Sequence, residues 1–154
     1  MTAAHTHSRI IDFAETDAAG IVHFSNFFRF MESAEAAFLR SLGGSPHEPS
    51  SGYAWPRIHA DCQFQHPAHF GDQLDSRVYV CRLGQSSIDY GFAFWVGAVQ
   101  VAQGGYTVVH VQLGACGNQR RAAPLPAALR AKLEALVDPT GVALRPRAAR
   151  ERTT

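Results

Sequence analysis

The spacing of hydrophobic residues changes along this 154-residue chain, and each change predicts a new kind of element. Residues 8–13 form a short run that is typical of a β-strand. In residues 26–42 the apolar residues recur at helical spacing and cover more than half of the projected circumference. They are Phe27, Phe28, Phe30, Met31, Ala34, Ala37, Phe38, Leu39 and Leu42. We expect a helix this apolar to be buried on most sides, and Gly43 and Gly44 to end it.

After this helix, apolar residues alternate with polar or small ones, which is the pattern of half-buried strands. The alternation predicts strands at residues 58–65, 73–83, 87–96 and 106–113. The apolar set of the third is Ile88, Tyr90, Phe92 and Phe94. Because the turns are short, we expect an antiparallel meander, with a bend at Gly97 and Gly104–Gly105 before the last strand. Residues 124–126 open a short second helix that ends near residue 137.

These elements predict one α+β domain over residues 8–137, in which a five-stranded antiparallel sheet wraps around one long central helix and a short C-terminal helix follows. Residues 1–7 are expected to be a flexible N-terminus, and residues 138–154 a flexible tail rich in arginine. The formal net charge of +1 gives no reason to expect a nucleic acid or membrane partner. The sequence shows neither an apolar run of membrane-spanning length nor a secretory signal, so we expect a cytoplasmic protein.

The cysteines and histidines do not predict a disulfide framework or a metal site. Cys62, Cys81 and Cys116 are odd in number and lack CxxC spacing. Two histidine pairs, at positions 5 and 7 and at positions 66 and 69, have no supporting cluster of Cys, Asp or Glu at ligand spacing. No metal ligand is therefore assigned.

The candidate chemistry lies in the turn before the first helix, Asp17-Ala-Ala-Gly20. The first turn of a helix has unpaired N–H groups and a partial positive charge, which can stabilise an anion. A carboxylate beside it can act as a base or a nucleophile, but an aspartate also suits a structural turn. Two acidic residues follow on the helix. Glu32, at the border of the apolar side, is either a solvated partner of Arg29 or an active-site group. Glu35, within the apolar side, is either a subunit contact or an active-site group.

The residues around this turn also resemble a known family. The sequence reads DAAGIVHFSNFF at residues 17–28, and FMESA follows at residues 30–34. This pattern resembles the hotdog-fold acyl-CoA thioesterases of the 4-hydroxybenzoyl-CoA thioesterase family. Weaker similarities at residues 70–72, 83–87 and 124–126 extend the resemblance to about residues 8–135.

The resemblance implies a hotdog fold, in which a five-stranded antiparallel sheet wraps around the long helix. It implies homodimers that share one continuous sheet, often paired into homotetramers, with active sites at the subunit interface. The implied activity is hydrolysis of an acyl-CoA thioester to a free acid and coenzyme A. No cofactor is implied, because coenzyme A is part of the substrate.

The resemblance assigns roles to residues of the turn and the helix. Asp17 matches the catalytic aspartate and would act as nucleophile or general base. Backbone N–H groups near Phe24 would form the oxyanion hole. Gly20 matches the turn glycine of the family. His23 and Glu32 are further candidates for contact with the substrate, although His23 also suits a structural role.

The hairpin after the predicted strand at residues 73–83 carries the candidates for coenzyme A binding. Arg82, Ser86 and Ser87 surround the turn where members of the family commonly meet the coenzyme A nucleotide. An arginine and two hydroxyl groups can bind phosphate, although the same residues also suit an ordinary turn.

The chain departs from the family pattern at Phe24, where many members have Tyr or His, and at Phe13, where some have Tyr. The acyl group is therefore left open by the sequence. The alternative to an enzyme is a non-catalytic hotdog module that binds acyl-CoA or an acyl-carrier ligand. The intact motif at Asp17 argues against this alternative.

Overall fold

The computed structural model describes residues 2–44, 51–114, 120–138, 140 and 144. Its elements are β1 (His5–Ile10), a 3₁₀ turn (Phe13–Glu15), α1 (Asn26–Ser41), β2 (Tyr53–Ala54), β3 (Arg57–Phe64), β4 (Gln73–Leu83), β5 (Ser87–Val96), β6 (Val99–Val109), β7 (Val111–Leu113), β8 (Arg120–Ala122) and α2 (Ala127–Glu134). The predicted α+β class is confirmed, with one five-stranded antiparallel sheet and two helices. Cys116 and most of the predicted arginine-rich tail lie outside the described residues. In the described part of the chain, no helix has both the length and the apolar character needed to cross a membrane.

The strand order of the main sheet is β1-β4-β5-β6-β3, and all neighbours are antiparallel. The predicted meander is present for β4, β5 and β6. It is wrong for β3, which pairs with β6 at the far side of the sheet instead of with β4. The segment between β3 and β4 does not form a hairpin because its backbone pairs elsewhere. Gln65 N–H donates to the carbonyl of Val101, and His69 forms a bridge with Ile21.

Helix α1 packs on the inner face of this sheet. The four apolar residues of β5 from Ile88 to Phe94 are buried, as expected. The residues between them, Asp89, Gly91 and Ala93, are also buried, so the prediction of a half-buried strand is wrong for β5. The buried residues of α1 are Phe27, Phe30, Met31, Ala34, Glu35 and Phe38. A second side, which includes Phe28 and Leu39, is only half-buried in the single chain. The helix is therefore less enclosed than its composition predicts.

The predicted bend at Gly104–Gly105 is wrong, because β6 runs without interruption through both glycines. The chain turns earlier, at Gly97, whose φ of +57° lies in the left-handed region that favours glycine. Gly104 instead allows close packing. A Cβ atom there would overlap the carbonyl oxygen of Asp61 and lie 3.0 Å from the Cε atom of Met31. This glycine lets β3 and α1 approach the same point of β6.

The first strand begins at His5, three residues earlier than predicted and within the segment expected to be flexible. Its half-buried positions are polar, and the sequence pattern does not indicate a strand there. His5 lies with its ring centroid 6.1 Å from that of Phe38, and Arg9 lies over the ring of Phe30 at 4.6 Å. Arg9 also pairs with Glu15 at 2.6 Å. Aromatic contacts and an ion pair, and not buried apolar side chains, thus hold this part of β1 in place.

A second, three-stranded sheet of order β2-β7-β8 was not predicted. It joins the main sheet at His110, which lies between β6 and β7 and is buried. The imidazole ring stacks between Tyr53 and Trp55, with both centroid distances at 4.6 Å, and its Nδ1 atom lies 2.8 Å from the carbonyl oxygen of Pro124. These contacts hold β2 and the start of α2 against the end of the main sheet.

Candidate active site

Asp17 lies at the tip of a short antiparallel loop between the 3₁₀ turn and α1. Thr16 and Val22 form a bridge across this loop. Asp17 N–H donates to the carbonyl of Ile21 at 2.9 Å, and Gly20 N–H donates to the carbonyl of Asp17 at 2.9 Å. Gly20 has a φ of +76°, a conformation in which other residues are strained. The turn glycine assigned from the sequence thus closes this turn.

The loop is fixed to the helix start and to the sheet by backbone hydrogen bonds. His23 N–H donates to the carbonyl of Glu15 at 2.9 Å, and the side-chain amide of Asn26 donates to the same carbonyl at 2.7 Å. Val22 N–H donates to the carbonyl of Ala68 at 2.8 Å. Asp17 and the first turn of α1 therefore form one rigid unit with the segment before β4.

The two oxygens of the Asp17 carboxylate have different surroundings. Oδ1 accepts a hydrogen bond from Ala19 N–H at 2.8 Å, which is the geometry of an Asx turn. Within residues 2–44, 51–114, 120–138, 140 and 144, Oδ2 has no hydrogen bond or ion pair. The structural role and the catalytic role are therefore compatible, because one oxygen holds the turn and the other is available to a ligand.

The start of α1 offers one available backbone donor. The first N–H groups of the helix are directed back to the carbonyls of residues 23–25, while Ser25 N–H lies 3.3 Å from Nδ1 of His23. Phe24 N–H has no partner among the residues that the structure describes. Asp17 lies opposite Ile21 in the loop, and Phe24 follows three residues after Ile21, immediately before the N-cap of α1.

His23 is directed to the helix start and not to Asp17. Its Nδ1 atom lies 2.7 Å from the hydroxyl of Ser25, and its ring packs against Phe24 at 4.5 Å. Ser25 is the N-cap residue, but its side chain makes no capping hydrogen bond to the helix backbone. His23 therefore orients the Phe24 region, and its assignment to substrate contact stays a prediction.

Four exposed phenylalanines surround this loop, and we call them the aromatic rim. They are Phe13, Phe24, Phe64 and Phe70. Phe13 and Phe70 make an edge-to-face contact at 5.9 Å, and Phe24 and Phe64 make one at 6.5 Å. Each of the four rings belongs to a residue that is at least 51% exposed. Apolar surface of this kind next to a carboxylate suits a ligand with an apolar body.

Glu35 and Arg57 form a second polar group, further along α1. Arg57 Nη2 donates to Oε2 of Glu35 at 2.5 Å, and the hydroxyl of Tyr106 donates to the same oxygen at 2.5 Å. Arg57 Nη2 also lies 3.4 Å from Oε1 of Glu32. Glu32 thus pairs with Arg57 and not with Arg29, and its side chain is 57% exposed.

Burial governs the protonation of this group. Burial raises the pKa of Glu35, against the opposing effect of Arg57 and the Tyr106 hydrogen bond. Burial and the charge of Glu35 likewise raise the pKa of Tyr106. The sequence indicated Glu35 as unusual because it projects into the apolar side of the helix. Arg57 and Tyr106 were not predicted as partners of Glu35. They lie on β3 and β6, and the predicted meander does not pair these two strands.

The candidates for coenzyme A binding lie at the opposite end of the sheet from the Asp17 loop. Arg82, with a side chain that is 52% exposed, lies 3.8 Å from Asp89. Gly84 N–H donates to the carbonyl of Ser87 at 2.8 Å, and the carbonyl of Ser86 accepts from His110 N–H at 2.7 Å. Ten residues of β4, about 33 Å of strand, separate this hairpin from the Asp17 end. A single chain does not bring Arg82, Ser86 and Ser87 to Asp17.

A further arginine contacts this hairpin and was not assigned from the sequence. Arg130, on α2, donates to the carbonyls of Gly84 and Gln85. It also lies 3.4 Å from Glu134. Only the packing of α2 against the hairpin reveals this arginine, which lies too far along the chain for a local motif to include it.

Known proteins share this fold and this sequence pattern. A family model described as "Thioesterase superfamily" matches residues 19–102. A 1,4-dihydroxy-2-naphthoyl-CoA hydrolase from Synechococcus sp. (strain WH7803) is 32% identical over 134 residues, which cover 81% of this chain and 85% of that protein. The crystal structure of a 1,4-dihydroxy-2-naphthoyl-CoA thioesterase from Synechocystis gives a TM-score of 0.78 at 27% identity, over 85% of this chain and 96% of that one. The structure of a gentisyl-coenzyme A thioesterase gives a TM-score of 0.70 at 27% identity, over 82% of this chain and 99% of that one.

The raised pKa of Glu35 predicts how its contribution to stability depends on pH. The folded protein keeps a proton on Glu35 at pH values where the unfolded chain has released it. Its contribution is therefore full below the ordinary pKa and falls as the pH rises towards the raised value. We expect the free energy of unfolding of wild type, relative to Glu35→Gln, to decrease in urea titrations as the pH rises above 4.5, the ordinary pKa of a glutamate.

Glu32→Gln is the matched control, because it makes the same chemical change at an exposed carboxylate of the same helix. If the free energy of unfolding of wild type, relative to Glu35→Gln, instead increased with pH, burial could not be the dominant effect on the pKa of Glu35.

Proposed function

The chain belongs to the thioesterase superfamily and is a thioester hydrolase, and we propose that it hydrolyses an acyl-CoA to a free acid and coenzyme A at the Asp17 turn. The observation that carries this proposal is the position of Asp17. Its Oδ2 atom is available, its turn is fixed to the start of α1, and the unpaired N–H of Phe24 follows on the same rigid unit.

The proposed reaction uses these two groups on the thioester carbonyl. Phe24 N–H donates to the carbonyl oxygen as negative charge develops on it, and the partial positive charge of the helix start adds to this effect. One such donor contributes about 2.7–4 kcal/mol to catalysis in other acyl-transfer enzymes. The fixed turn matters because the donor is already in place when charge develops, so no reorganisation is needed.

Asp17 supplies the attacking or proton-accepting oxygen by one of two routes. As a nucleophile, Oδ2 bonds to the carbonyl carbon, the C–S bond breaks, and water then hydrolyses the acyl–Asp17 anhydride. As a general base, Oδ2 takes a proton from water, which attacks the carbon, and the thiolate leaves and is protonated. Both routes give the same acid and thiol, and neither uses a cofactor.

The substrate class we propose is an aromatic acyl-CoA. Three of the proteins that resemble this chain are named for naphthoyl or gentisyl thioesters of coenzyme A. The aromatic rim supports the same class, because exposed phenylalanine rings favour stacking and edge contacts with a planar group.

We also propose that the working form is a homodimer, or a homotetramer built from it, joined along β3. This strand is at the edge of the sheet, and two of its apolar residues are exposed, Ile58 at 55% and Phe64 at 51%. An uncovered edge strand tends to pair with another chain. Antiparallel pairing of β3 with its copy would cover this edge and extend the sheet.

This arrangement would bring the two ends of the candidate site together. The Phe64 end of β3 in one protomer, next to its aromatic rim, would lie against the Arg57 end of β3 in the other. Within one protomer, Arg57 pairs with Val108 on β6, and Val108 pairs with Ile88 on β5. Ile88 in turn pairs with Leu83 on β4, which is next to Arg82. These three strand spacings measure about 14 Å. An extended coenzyme A could then bridge Asp17 of one protomer and the hairpin of its partner.

Replacement of Asp17 tests the proposed chemistry. We expect Asp17→Asn and Asp17→Ala to lower the rate of acyl-CoA hydrolysis by about 10²–10⁴-fold, since the attacking or proton-accepting oxygen is lost. The rate is followed as thiol release, with circular dichroism as a check of the fold. Asp75→Asn makes the same change at a carboxylate on β4 and should keep wild-type activity. Near-wild-type turnover in Asp17→Ala would refute the proposal, and binding without turnover in wild type would favour the non-catalytic module.

A substrate panel tests the acyl group. We expect kcat/KM for benzoyl- and naphthoyl-CoA to exceed that for hexanoyl-CoA by at least about tenfold, because only the planar acyl groups can pack on the rings of the aromatic rim. The measurement is thiol release under matched conditions. Equal or faster hydrolysis of the aliphatic thioester would contradict the aromatic class without affecting the assignment of Asp17.

The proposed dimer is tested at Ile58. Ile58→Lys places a charge at the β3 edge, so we expect a lower mass by light scattering and a loss of hydrolysis at the same protein concentration. Val99→Lys is the control, because Val99 is 48% exposed at the β5–β6 turn and away from this edge. An unchanged mass for Ile58→Lys would exclude β3 as the joining strand, and the wild-type mass distinguishes dimer from tetramer.

A further inference from the structure

The outer face of the main sheet, opposite to α1, is closed over part of its area. In β5 the residues that point away from α1, Asp89, Gly91 and Ala93, are buried. On β4, the outer residues Tyr79 and Cys81 are only 5% and 4% exposed. An antiparallel sheet with its helices on one side commonly leaves the other side to solvent. A part of the chain other than α1 must therefore cover these residues.

Leu144 is the described residue that lies on this face. It belongs to the segment that was expected to be a flexible tail, yet it is only 2% exposed. With Tyr79, Cys81 and Ala93 it forms an apolar cluster that is separate from the core around α1. We call these four residues the outer cluster.

Gly91 forms the seat for Leu144. A Cβ atom at Gly91 would lie 2.6 Å from the Cβ atom of Leu144 and 2.8 Å from the Sγ atom of Cys81, closer than real Cβ atoms approach their neighbours. The φ of Gly91 is not in the left-handed region, so close packing, and not the backbone conformation, requires glycine here. Gly105 pairs directly with Gly91, so two neighbouring strands carry no side chain on the outer face at this level.

The chain before Leu144 is fixed to the edge of β4. Val137 forms a parallel bridge with Val80, and Asp138 N–H donates to the carbonyl of Val80 at 2.9 Å. The carboxylate of Asp138 accepts a hydrogen bond from Thr140 N–H at 2.8 Å. Because α2 contributes to the core around α1, the chain passes at this edge from the inner side of the sheet to the outer side. Leu144 follows four residues after Thr140.

Without Leu144 the outer face would present a flat apolar patch. Its side chains are those of Tyr79, Cys81 and Ala93, and Trp95 packs against their border. The paired glycines leave its centre without protruding side chains. Exposed apolar patches mark surfaces for association. Since sheets pack face to face about 10 Å apart, the surface that fits this patch best is the same face of a second copy, related by a twofold axis.

We propose that the outer face is an interaction surface for a second copy of this chain, and that Leu144 keeps it closed. While Leu144 is seated on Gly91, it occupies the space that a second sheet needs. The proposed dimer is unaffected, because β3 is at the far edge of the sheet from β4. This inference goes beyond thioester hydrolysis and does not rest on it.

Leu144→Asp tests the closure, because a carboxylate is too costly to keep within an apolar cluster. We expect its mass by light scattering to be about twice that of wild type at the same protein concentration, since a twofold contact closes after one association step. Ala131→Asp is the matched control. It adds the same charge at an exposed position of α2 and should keep the wild-type mass. An unchanged mass for Leu144→Asp that is folded by circular dichroism would overturn the proposal.

Gly91→Ala opens the same surface while Leu144 itself is kept. The added Cβ atom takes the space in which Leu144 is seated, so we expect the same rise in mass, about twofold. This variant carries the test if Leu144→Asp does not fold. A wild-type mass in folded Gly91→Ala would show that the seat does not control association, and the proposal would fail.

Replacement of Trp95 identifies the surface that associates. In Leu144→Asp, the further change Trp95→Glu places a charge within the proposed contact, so we expect the wild-type mass to return. Arg77 lies over the Trp95 ring at 4.6 Å and can pair with the new carboxylate, which helps this variant to fold. Trp95→Phe in the same background is the control and should keep the doubled mass. A doubled mass that persists with Trp95→Glu, or aggregates of no defined size, would overturn the outer face as the contact.

These masses are measured without substrate. If wild type failed to hydrolyse acyl-CoA, the result for the outer face would still stand. Equally, unchanged masses in the Leu144 and Gly91 variants would leave the assignment of Asp17 as it is.

Discussion

The packing of α1 across the inner face of the sheet is the interaction on which the rest of the structure depends. Phe30, Met31 and Phe38 are almost entirely buried against β-strand side chains. Gly104 lets the Met31 side chain and the β3 backbone meet at one point of β6, so the helix cannot slide without a clash. Because α1 is fixed in this way, the Phe24 N–H at its start and Glu35 near its middle are fixed as well. One apolar contact therefore positions both polar regions.

The two polar regions differ in the burial and the hydrogen bonds of their carboxyl groups. At the Asp17 turn the carboxylate is half-buried and keeps one oxygen available, which suits a group that must meet a substrate. At Glu35 the carboxylate is buried, and Arg57 and Tyr106 donate to one of its oxygens. A buried carboxyl group needs such hydrogen-bond partners. The structure thus separates a solvent-facing carboxylate, in the loop before α1, from an enclosed one on α1.

The sequence predicted the features that arise from local pattern. The limits of α1 and the apolar face of β5 follow from helical spacing and strand spacing, which neighbouring residues determine. The glycine turn at Gly20 was implied by the resemblance at residues 17–28. The place of β3 could not be predicted, because it depends on the segment near His69 pairing with Ile21 instead of forming a hairpin. Arg57 was missed for the same reason. The early start of β1 was missed because its inner positions are held by an ion pair and ring contacts, as at Arg9, and not by apolar residues.

The strand order also has a consequence for how the chain folds. Strands β4, β5 and β6 follow one another through short turns, so they can pair early at a small cost in loop entropy. Arg57 on β3 pairs with Val108, about fifty residues away, and β3 can join only after β6 has its place. The Asp17 loop rests on Ala68, which precedes β4, and it also depends on contacts distant in sequence. We therefore expect the parts that carry chemistry to assemble after β4, β5 and β6 have paired.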